Sequence, residues 1–234
     1  MKLPMQETPE YKVTLPVTKQ EVTYRPFLVK EQKNLILARE GKSAKEIFEA
    51  IEGLLKSVTK EQISGKNLPL ADLEYLFLQI RCKSIGETSK LELPCVNSDC
   101  EVSQPLSIDL TKIEVEQDDV PENKFSISDD IMIEMDYPTT ELVSQVEELE
   151  ESKAVKPILR SCMVRIYDSE EIYELKDFPD REIDKFIDNM TIDQFEKVMV
   201  FFNKVPTLRK EFDWKCKKCG TENSFVAQGL QSFF

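Results

Sequence analysis

The spacing of apolar residues changes along the chain, and the first stretch has the period of a strand. Within the first 27 residues apolar and polar positions alternate, as in Tyr11-Lys12-Val13. Pro16 and Pro26 restrict this stretch to edge-like pairing, because proline cannot donate a backbone hydrogen bond. We therefore expect an extended N-terminal arm.

Helical spacing replaces this alternation in the next three segments. One helix is predicted over roughly residues 30–40. A second begins at Ser43, which has the capping-box spacing to Glu46, and a third follows Pro69 and ends near Gly86. Their apolar stripes are Ile47, Ile51, Leu54, Leu55 and Val58 in the second helix, and Leu73, Leu76, Phe77 and Ile80 in the third.

From residue 91 apolar residues again alternate with polar ones, and helical spacing returns further along the chain. Strands are predicted around residues 91–93, 106–110 and 131–135, and residues 162–175 form a hairpin that turns near Ser169. Residues 139–153 are predicted to be an acidic, solvated helix, and an acidic binding tail is the alternative. Two short helices follow, and the second begins with a capping box of Thr191 and Gln194.

Charge narrows the classes of function. The chain has 234 residues, 31 basic and 44 acidic, with a formal net charge of −13. A protein with this net negative charge repels nucleic acids and anionic membranes. The first residues lack the apolar core of a secretion signal, and no apolar run reaches membrane-spanning length. The expected location is therefore the cytoplasm.

Histidine is absent from the chain. This excludes the commonest general base, every Ser-His or Cys-His nucleophile pair, and histidine-containing metal sites. No Walker loop or dinucleotide-binding glycine motif occurs either. We expect a protein that is not an enzyme and has no small-molecule substrate.

Four of the six cysteines form two pairs in short turns between strand-like segments. Cys95 and Cys100 form the first pair, Cys216 and Cys219 the second, and 115 residues separate the pairs. Four thiolates suit a structural Zn²⁺ ion and leave no open coordination position. Separate thiols and a redox dithiol or disulfide are the alternatives. Cys82 and Cys162 lie in apolar patterns and are predicted to be buried core thiols.

The predicted zinc module also has two interpretations. A local basic cluster suggests nucleic-acid binding, although acidic residues interrupt it. Its members are Arg209, Lys210, Lys215, Lys217 and Lys218. The lysines can instead offset the negative charge of the thiolates and lower the pKa of the thiols. We favour the second interpretation, and a nucleic-acid-binding accessory protein is the alternative.

The predicted fold is α+β with three parts. Residues 1–90 form the extended arm plus helices. Residues 91–110 and 211–228 form a zinc-ribbon module built from two distant segments. Residues 111–210 form a mixed α/β insertion with two C-terminal helices.

Several segments resemble proteins of the tail baseplate of T-even-like contractile-tailed bacteriophages. They are YRPFLVKEQKNLILA, DLEYLFLQIRCKSIGE, IMIEMDYPTTE and FFNKVPTLRKEFDWKCKKCG, and the resemblance extends from about Tyr24 to Phe234. It implies a hub component or hub-assembly factor whose partners are other baseplate hub or tail proteins. It also implies a location in the host cytoplasm during assembly, or in the virion. The N-terminal arm and residues 229–234 are the candidate contact surfaces. For Phe233 and Phe234 we favour packing on the chain's own ribbon, and insertion into a partner is the alternative.

Overall fold

The computed structural model describes residues 7–41, 44–116, 122–146 and 149–229. Its helices are α1 Val29–Gly41, α2 Ala44–Val58, α3 Leu70–Ser84, α4 Thr140–Val146, α5 Glu151–Cys162, α6 Asp180–Asp188 and α7 Ile192–Asn203. Its strands are β1 Tyr11–Thr14, β2 Glu21–Tyr24, β3 Thr88–Pro94, β4 Ser103–Asp109, β5 Glu114–Glu116, β6 Lys124–Ser126, β7 Met132–Met135, β8 Met163–Tyr167, β9 Ile172–Glu174, β10 Thr207–Lys215 and β11 Glu222–Gln228. The predicted mixture of helices and strands is confirmed, and the strand pairs described are antiparallel.

The chain divides into two compact units. Unit 1 comprises residues 1–65, 71–116 and 207–234, and unit 2 comprises residues 66–70 and 117–206. Unit 1 contains the β1–β2 hairpin, α1, α2, nearly all of α3, the β3–β4 hairpin and a three-stranded sheet in the order β11-β10-β5. Its largest fully buried side chains include Leu15, Leu55, Leu73, Leu76, Leu78, Ile80, Ile108, Leu110 and Ile113.

The segment predicted as an extended arm pairs with itself as the β1–β2 hairpin. Its turn is held by Asp72 in the first turn of α3, a fully buried residue whose carboxylate accepts hydrogen bonds from the backbone N–H groups of Val17 and Thr18 at 2.7 and 2.8 Å. Leu15 and Val22 are completely buried. These two apolar side chains are thus used inside unit 1 rather than presented to a partner.

Two of the segments that resemble baseplate proteins meet in unit 1. The backbone N–H of Phe27 donates a hydrogen bond to Ser84 Oγ at 2.9 Å, and that hydroxyl lies in the last turn of α3. Glu31 of α1 is buried, pairs with Arg25 at 2.9 Å and accepts a hydrogen bond from Ser57 of α2 at 2.9 Å. The first motif therefore joins the hairpin, α1, α2 and α3.

Unit 2 is built on a four-stranded sheet in the order β6-β7-β8-β9. On one face lies the apolar row Phe125, Ile133, Ile166 and Tyr173, and on the other lies the alternating charged row Lys124, Glu134, Arg165 and Glu174. The apolar row contributes to a core completed by residues of α4 to α7, including Leu142, Leu159, Ile183, Ile187, Val198 and Phe201.

The prediction of one acidic helix over residues 139–153 is wrong. Helix α4 ends at Val146, Glu150 has extended backbone angles (φ −59°, ψ 144°), and α5 begins at Glu151 and runs to Cys162. The apolar face of α5 packs on the unit 2 core through Val155, Ile158 and Leu159, which stabilises a helix despite Pro157 in its interior.

Other local predictions are confirmed. Both hydrogen bonds of the Thr191–Gln194 capping box are present at the start of α7. Cys82 and Cys162 are buried as predicted, and burial raises the pKa of Cys162 to about 12. The predicted Ser43 cap and residues 230–234 of the candidate C-terminal contact surface lie outside the described residues.

Candidate metal centre

Two hairpins of unit 1 each present a pair of cysteines in their turns. Strands β3 and β4 pair from Thr88↔Asp109 to Pro94↔Ser103, and the turn beyond that last pair contains Cys95 and Cys100. Strands β10 and β11 pair as far as Lys215↔Glu222, and their turn contains Cys216 and Cys219. Each pair of thiols is therefore positioned by a strand–turn–strand unit, as the sequence pattern predicts.

The two turns have the same backbone hydrogen bond at their base. The N–H of Cys95 donates to the carbonyl of Val102, and the N–H of Cys216 donates to that of Thr221, both at 2.9 Å. In each case the acceptor is the second residue after the second cysteine of the pair. The two turns thus close in equivalent ways although their lengths differ.

The residue after the second cysteine has a positive φ in both turns. Gly220 has φ 77°, which glycine adopts without steric cost, whereas Glu101 has φ 49°. The first turn is longer by two residues and contains an extra local bond, because the N–H of Asp99 donates to the Asn97 side chain at 3.0 Å. This local bond helps the wider Cys95–Cys100 spacing to form a compact turn.

The four sulfur atoms lie close together, each within 4.8 Å of all the others. Cys95 Sγ is 3.6 Å from Cys219 Sγ, and Cys100 Sγ is 3.7 Å from Cys216 Sγ. A disulfide requires about 2.05 Å. Four thiolates around one zinc ion at about 2.3 Å would be separated by roughly 3.8 Å if tetrahedral. The four-cysteine cluster can therefore hold one metal ion.

Two side-chain amides connect the hairpins, and each bonds the turn of the other. Asn223 Oδ1 accepts a hydrogen bond from the N–H of Val96 at 2.8 Å, and Gln104 Oε1 accepts one from the N–H of Lys217 at 3.2 Å. Each amide lies four residues after the second cysteine of its own pair, and each N–H belongs to the residue after the first cysteine of the other pair. The contacts are thus reciprocal.

Sequence reasoning did not identify Asn223 and Gln104, although their shared distance from a cysteine pair was a usable signal. Asn223 is buried and also donates from Nδ2 to the carbonyl of Thr221 at 2.8 Å. Gln104 is half-buried and donates from Nε2 to the carbonyl of Lys215 at 3.4 Å. These amides hold the two turns in register.

Hydrogen bonding lowers the pKa of both thiols of the second turn. The Thr221 hydroxyl lies 3.2 Å from Cys219 Sγ, and together with the Thr221 N–H it lowers the pKa of Cys219 to about 6. Backbone N–H groups of Cys219 and Lys218 lower the pKa of Cys216. The main cause of both shifts is thus hydrogen bonding rather than the flanking lysines that the sequence suggested.

In the first turn the pKa of both thiols is raised. Burial, together with the neighbouring sulfurs of Cys219 and Cys216, raises the pKa of Cys100 to about 12. A backbone hydrogen bond from Asn97 lowers the pKa of Cys95, but burial and the same two sulfurs raise it overall. Since metals bind thiolates, loading the cluster requires protons to leave these thiols.

Basic residues near the cluster have partners within the protein. Lys218 Nζ donates to the carbonyl oxygen of Cys100 at 3.0 Å, so this lysine links the second cysteine turn to the first. Arg209 pairs with Glu116 across β10 and β5 at 3.0 Å. Two members of the basic cluster therefore have roles within unit 1.

Comparison with known proteins identifies the family. The family model described as "T4 bacteriophage base plate protein" matches residues 8–234. The baseplate hub assembly protein gp26 of Enterobacteria phage T4 is 24% identical over 226 residues, covering 96% of this chain and 98% of the relative. No solved structure is significantly similar.

The helices that the structure describes lack the combination of length and apolar character needed to span a membrane. The family match covers nearly the whole chain, including both cysteine pairs and the motifs joined in unit 1. The resemblance of those motifs to phage baseplate proteins is thereby confirmed. The chain belongs to the T4 bacteriophage base plate protein family.

Proposed function

We propose that this protein acts in assembly of the phage baseplate hub through contacts with other hub or tail proteins. The observation that carries the proposal is the nearly end-to-end similarity to a baseplate hub assembly protein. Because the aligned region covers 96% of one chain and 98% of the other, the role is inferred for the whole chain rather than for one module. The contacts would be made in the cytoplasm of the infected host.

We propose in addition that the four-cysteine cluster holds one structural Zn²⁺ ion. The donor set supports this, since four thiolates satisfy the tetrahedral preference of zinc and leave no position for a reacting water. Cys100 and Cys216 are 116 positions apart, so the ion would close a long loop and contribute to the folding of unit 1. Its role would be to hold the two hairpins together rather than to catalyse a reaction.

The proposed role is non-enzymatic. The chain has no histidine, and four protein ligands would leave the zinc without an open site. The paired Arg209 and the Lys218–Cys100 contact support a structural use of basic residues near the cluster, in preference to phosphate binding. Nucleic acid and small-molecule substrates are therefore not among the proposed partners.

Mass spectrometry of purified virions, combined with co-purification from infected cells, tests the proposed role. Presence in the particle would identify a hub component, whereas absence from it together with association with hub proteins during assembly would identify a transient assembly factor. If the protein is in neither virions nor complexes with hub or tail proteins, the proposal is wrong.

A further inference from the structure

The negative charge of the chain is concentrated in one part of the sequence. Residues 117–206, which make up almost all of unit 2, contain 23 acidic and 10 basic side chains, whereas the remaining residues contain 21 of each. The whole net charge of −13 therefore comes from this stretch. Positive charge on a partner therefore favours its binding to this stretch, whereas a second copy of unit 2 is repelled by like charge.

Unit 2 also has an apolar groove between the edge of its sheet and α6. The groove has a volume of about 320 Å³ and is partly open to solvent. Its apolar lining includes Ile166 and Tyr173 from β8 and β9 and Phe186 from α6. Phe178 forms part of the wall, with its ring 6.2 Å from that of Tyr173, and 41% of it is exposed. This volume is at the lower end of the range for ligand sites and can hold one or two large side chains of a partner.

Two carboxylates lie in the lining of this apolar groove. Asp168 and Glu182 contribute to it from the β8–β9 turn and from α6. Asp168 is fixed in place, because it accepts hydrogen bonds from the Tyr173 hydroxyl and from the N–H groups of Glu170 and Glu171, each at 2.8 Å. Glu182 pairs with Lys185 of its own helix at 2.7 Å, on the exposed side of α6, so Asp168 supplies the fixed negative charge beside the apolar walls.

We infer that this groove binds a basic segment of a partner protein, with an aromatic or aliphatic side chain inserted against Phe178 and with lysines or arginines facing Asp168 and Glu182. The inference rests on the proposed function in that an assembly role requires a protein partner. It goes further by placing the contact on unit 2 and by specifying the chemistry of the partner. Apolar anchors surrounded by complementary charge are the usual source of affinity at protein interfaces.

A pair of synthetic amphipathic helical peptides tests this inference on the full-length protein. Both carry leucine and phenylalanine on one face, with lysines elsewhere in the first peptide and glutamates in the second. Fluorescence anisotropy should show saturable binding of the lysine peptide and none of the glutamate peptide. A photo-crosslinker on the apolar face should label residues that line the groove.

Matched variants separate the groove from general attraction to an acidic protein. Phe178→Asp and Glu182→Lys should each weaken binding of the lysine peptide about tenfold. The controls Ile192→Asp and Glu196→Lys replace an apolar residue with aspartate and a glutamate with lysine at exposed positions of α7 away from the groove, and they should have little effect. Circular dichroism melts check folding, and Glu182→Lys still tests the groove if the Phe178 variant is destabilised.

Three outcomes would overturn the inference. They are no binding of the lysine peptide, equal binding of both peptides, or equal loss in the groove and control variants. None of these depends on whether the protein associates with hub proteins or contains zinc, so failure of this inference is distinguishable from failure of the proposed function.

Discussion

Asn223 Oδ1 accepts a hydrogen bond from the backbone N–H of Val96 at 2.8 Å, although the two residues are 127 positions apart. The bond joins the β10–β11 hairpin to the turn of the β3–β4 hairpin, and Gln104 makes the reciprocal bond to Lys217. The cysteine turns are therefore held together by direct protein contacts as well as by any shared ion. Metal binding and docking of the hairpins are expected to be coupled for this reason.

Substitution of Asn223 should weaken both metal binding and docking of the two hairpins. Asn223→Ala leaves the N–H of Val96 and the carbonyl of Thr221 without this partner, which typically costs about 1–3 kcal/mol when such groups are buried. Urea unfolding should show that loss, and release of zinc to a chelator should be faster. Gln104→Ala should have a smaller effect because Gln104 is less buried, and Asn34→Ala on the exposed side of α1 is the control. Unchanged zinc release in Asn223→Ala would contradict a positioning role.

Metal content tests the proposed ligands directly. Protein purified from a cytoplasmic expression host should contain one zinc per chain by elemental analysis, and Cys216→Ser should lose it. Cys82→Ala, at a buried cysteine outside the four-cysteine cluster, should retain the metal even if it lowers stability. Absence of zinc from the wild type, with all six thiols free to react, would refute the zinc proposal.

Removal of zinc should also destabilise unit 1. Structural zinc contributes about 10–16 kcal/mol of binding free energy in zinc-finger peptides, and part of that free energy stabilises the fold. A chelator should therefore lower the melting temperature of the wild type markedly and that of Cys216→Ser little. A wild-type melting temperature that does not respond to the chelator would show that the cluster folds without an ion.

The Arg25–Glu31 pair predicts a dependence of stability on pH. Burial opposes ionisation of Glu31, but hydrogen bonds from Arg25, the N–H of Leu28 and Ser57 lower the pKa of Glu31 from 4.5 to about 2. Since the pKa is lower in the folded state, the stabilisation is fully present well above pH 4.5 and is lost as pH falls toward 2. The shift corresponds to about 3 kcal/mol at neutral pH.

The variant Glu31→Gln isolates this contribution. Its free energy of unfolding should be lower than that of the wild type at pH 7, and the difference should shrink toward pH 2 in a denaturant series. Glu21→Gln, in an exposed pair with Lys12, is the control and should change stability little at any pH. A deficit in Glu31→Gln that does not change with pH would show that packing rather than charge is responsible.

Titration with DNA tests the alternative function that the basic cluster suggests. Duplex and single-stranded DNA should bind weakly even at low salt, because the chain has a net charge of −13 and both Arg209 and Lys218 have partners in the protein. Tight binding with a steep salt dependence would instead favour the nucleic-acid-binding alternative.

The sequence by itself determined the features that depend on neighbours along the chain. Helical spacing located α2, α3 and α7, the Thr191–Gln194 capping box marked where α7 begins, and strand alternation located β7 and the β8–β9 hairpin. The two cysteine pairs were recognisable for the same reason, since each lies within one turn. These signals are local, so they do not depend on which distant segments pack together.

Only the tertiary structure decided which distant groups meet. Asn223 and Gln104 lie at the same distance from their cysteine pairs, but the groups that they bond could not be predicted, because a side-chain amide has no sequence period that reveals its acceptor or donor. Burial of Glu31 depends on Arg25 and Ser57 lying beside it, and α5 extends past Pro157 because its apolar face packs on the core of unit 2. In each case a non-local contact supplies the free energy that outweighs a local preference.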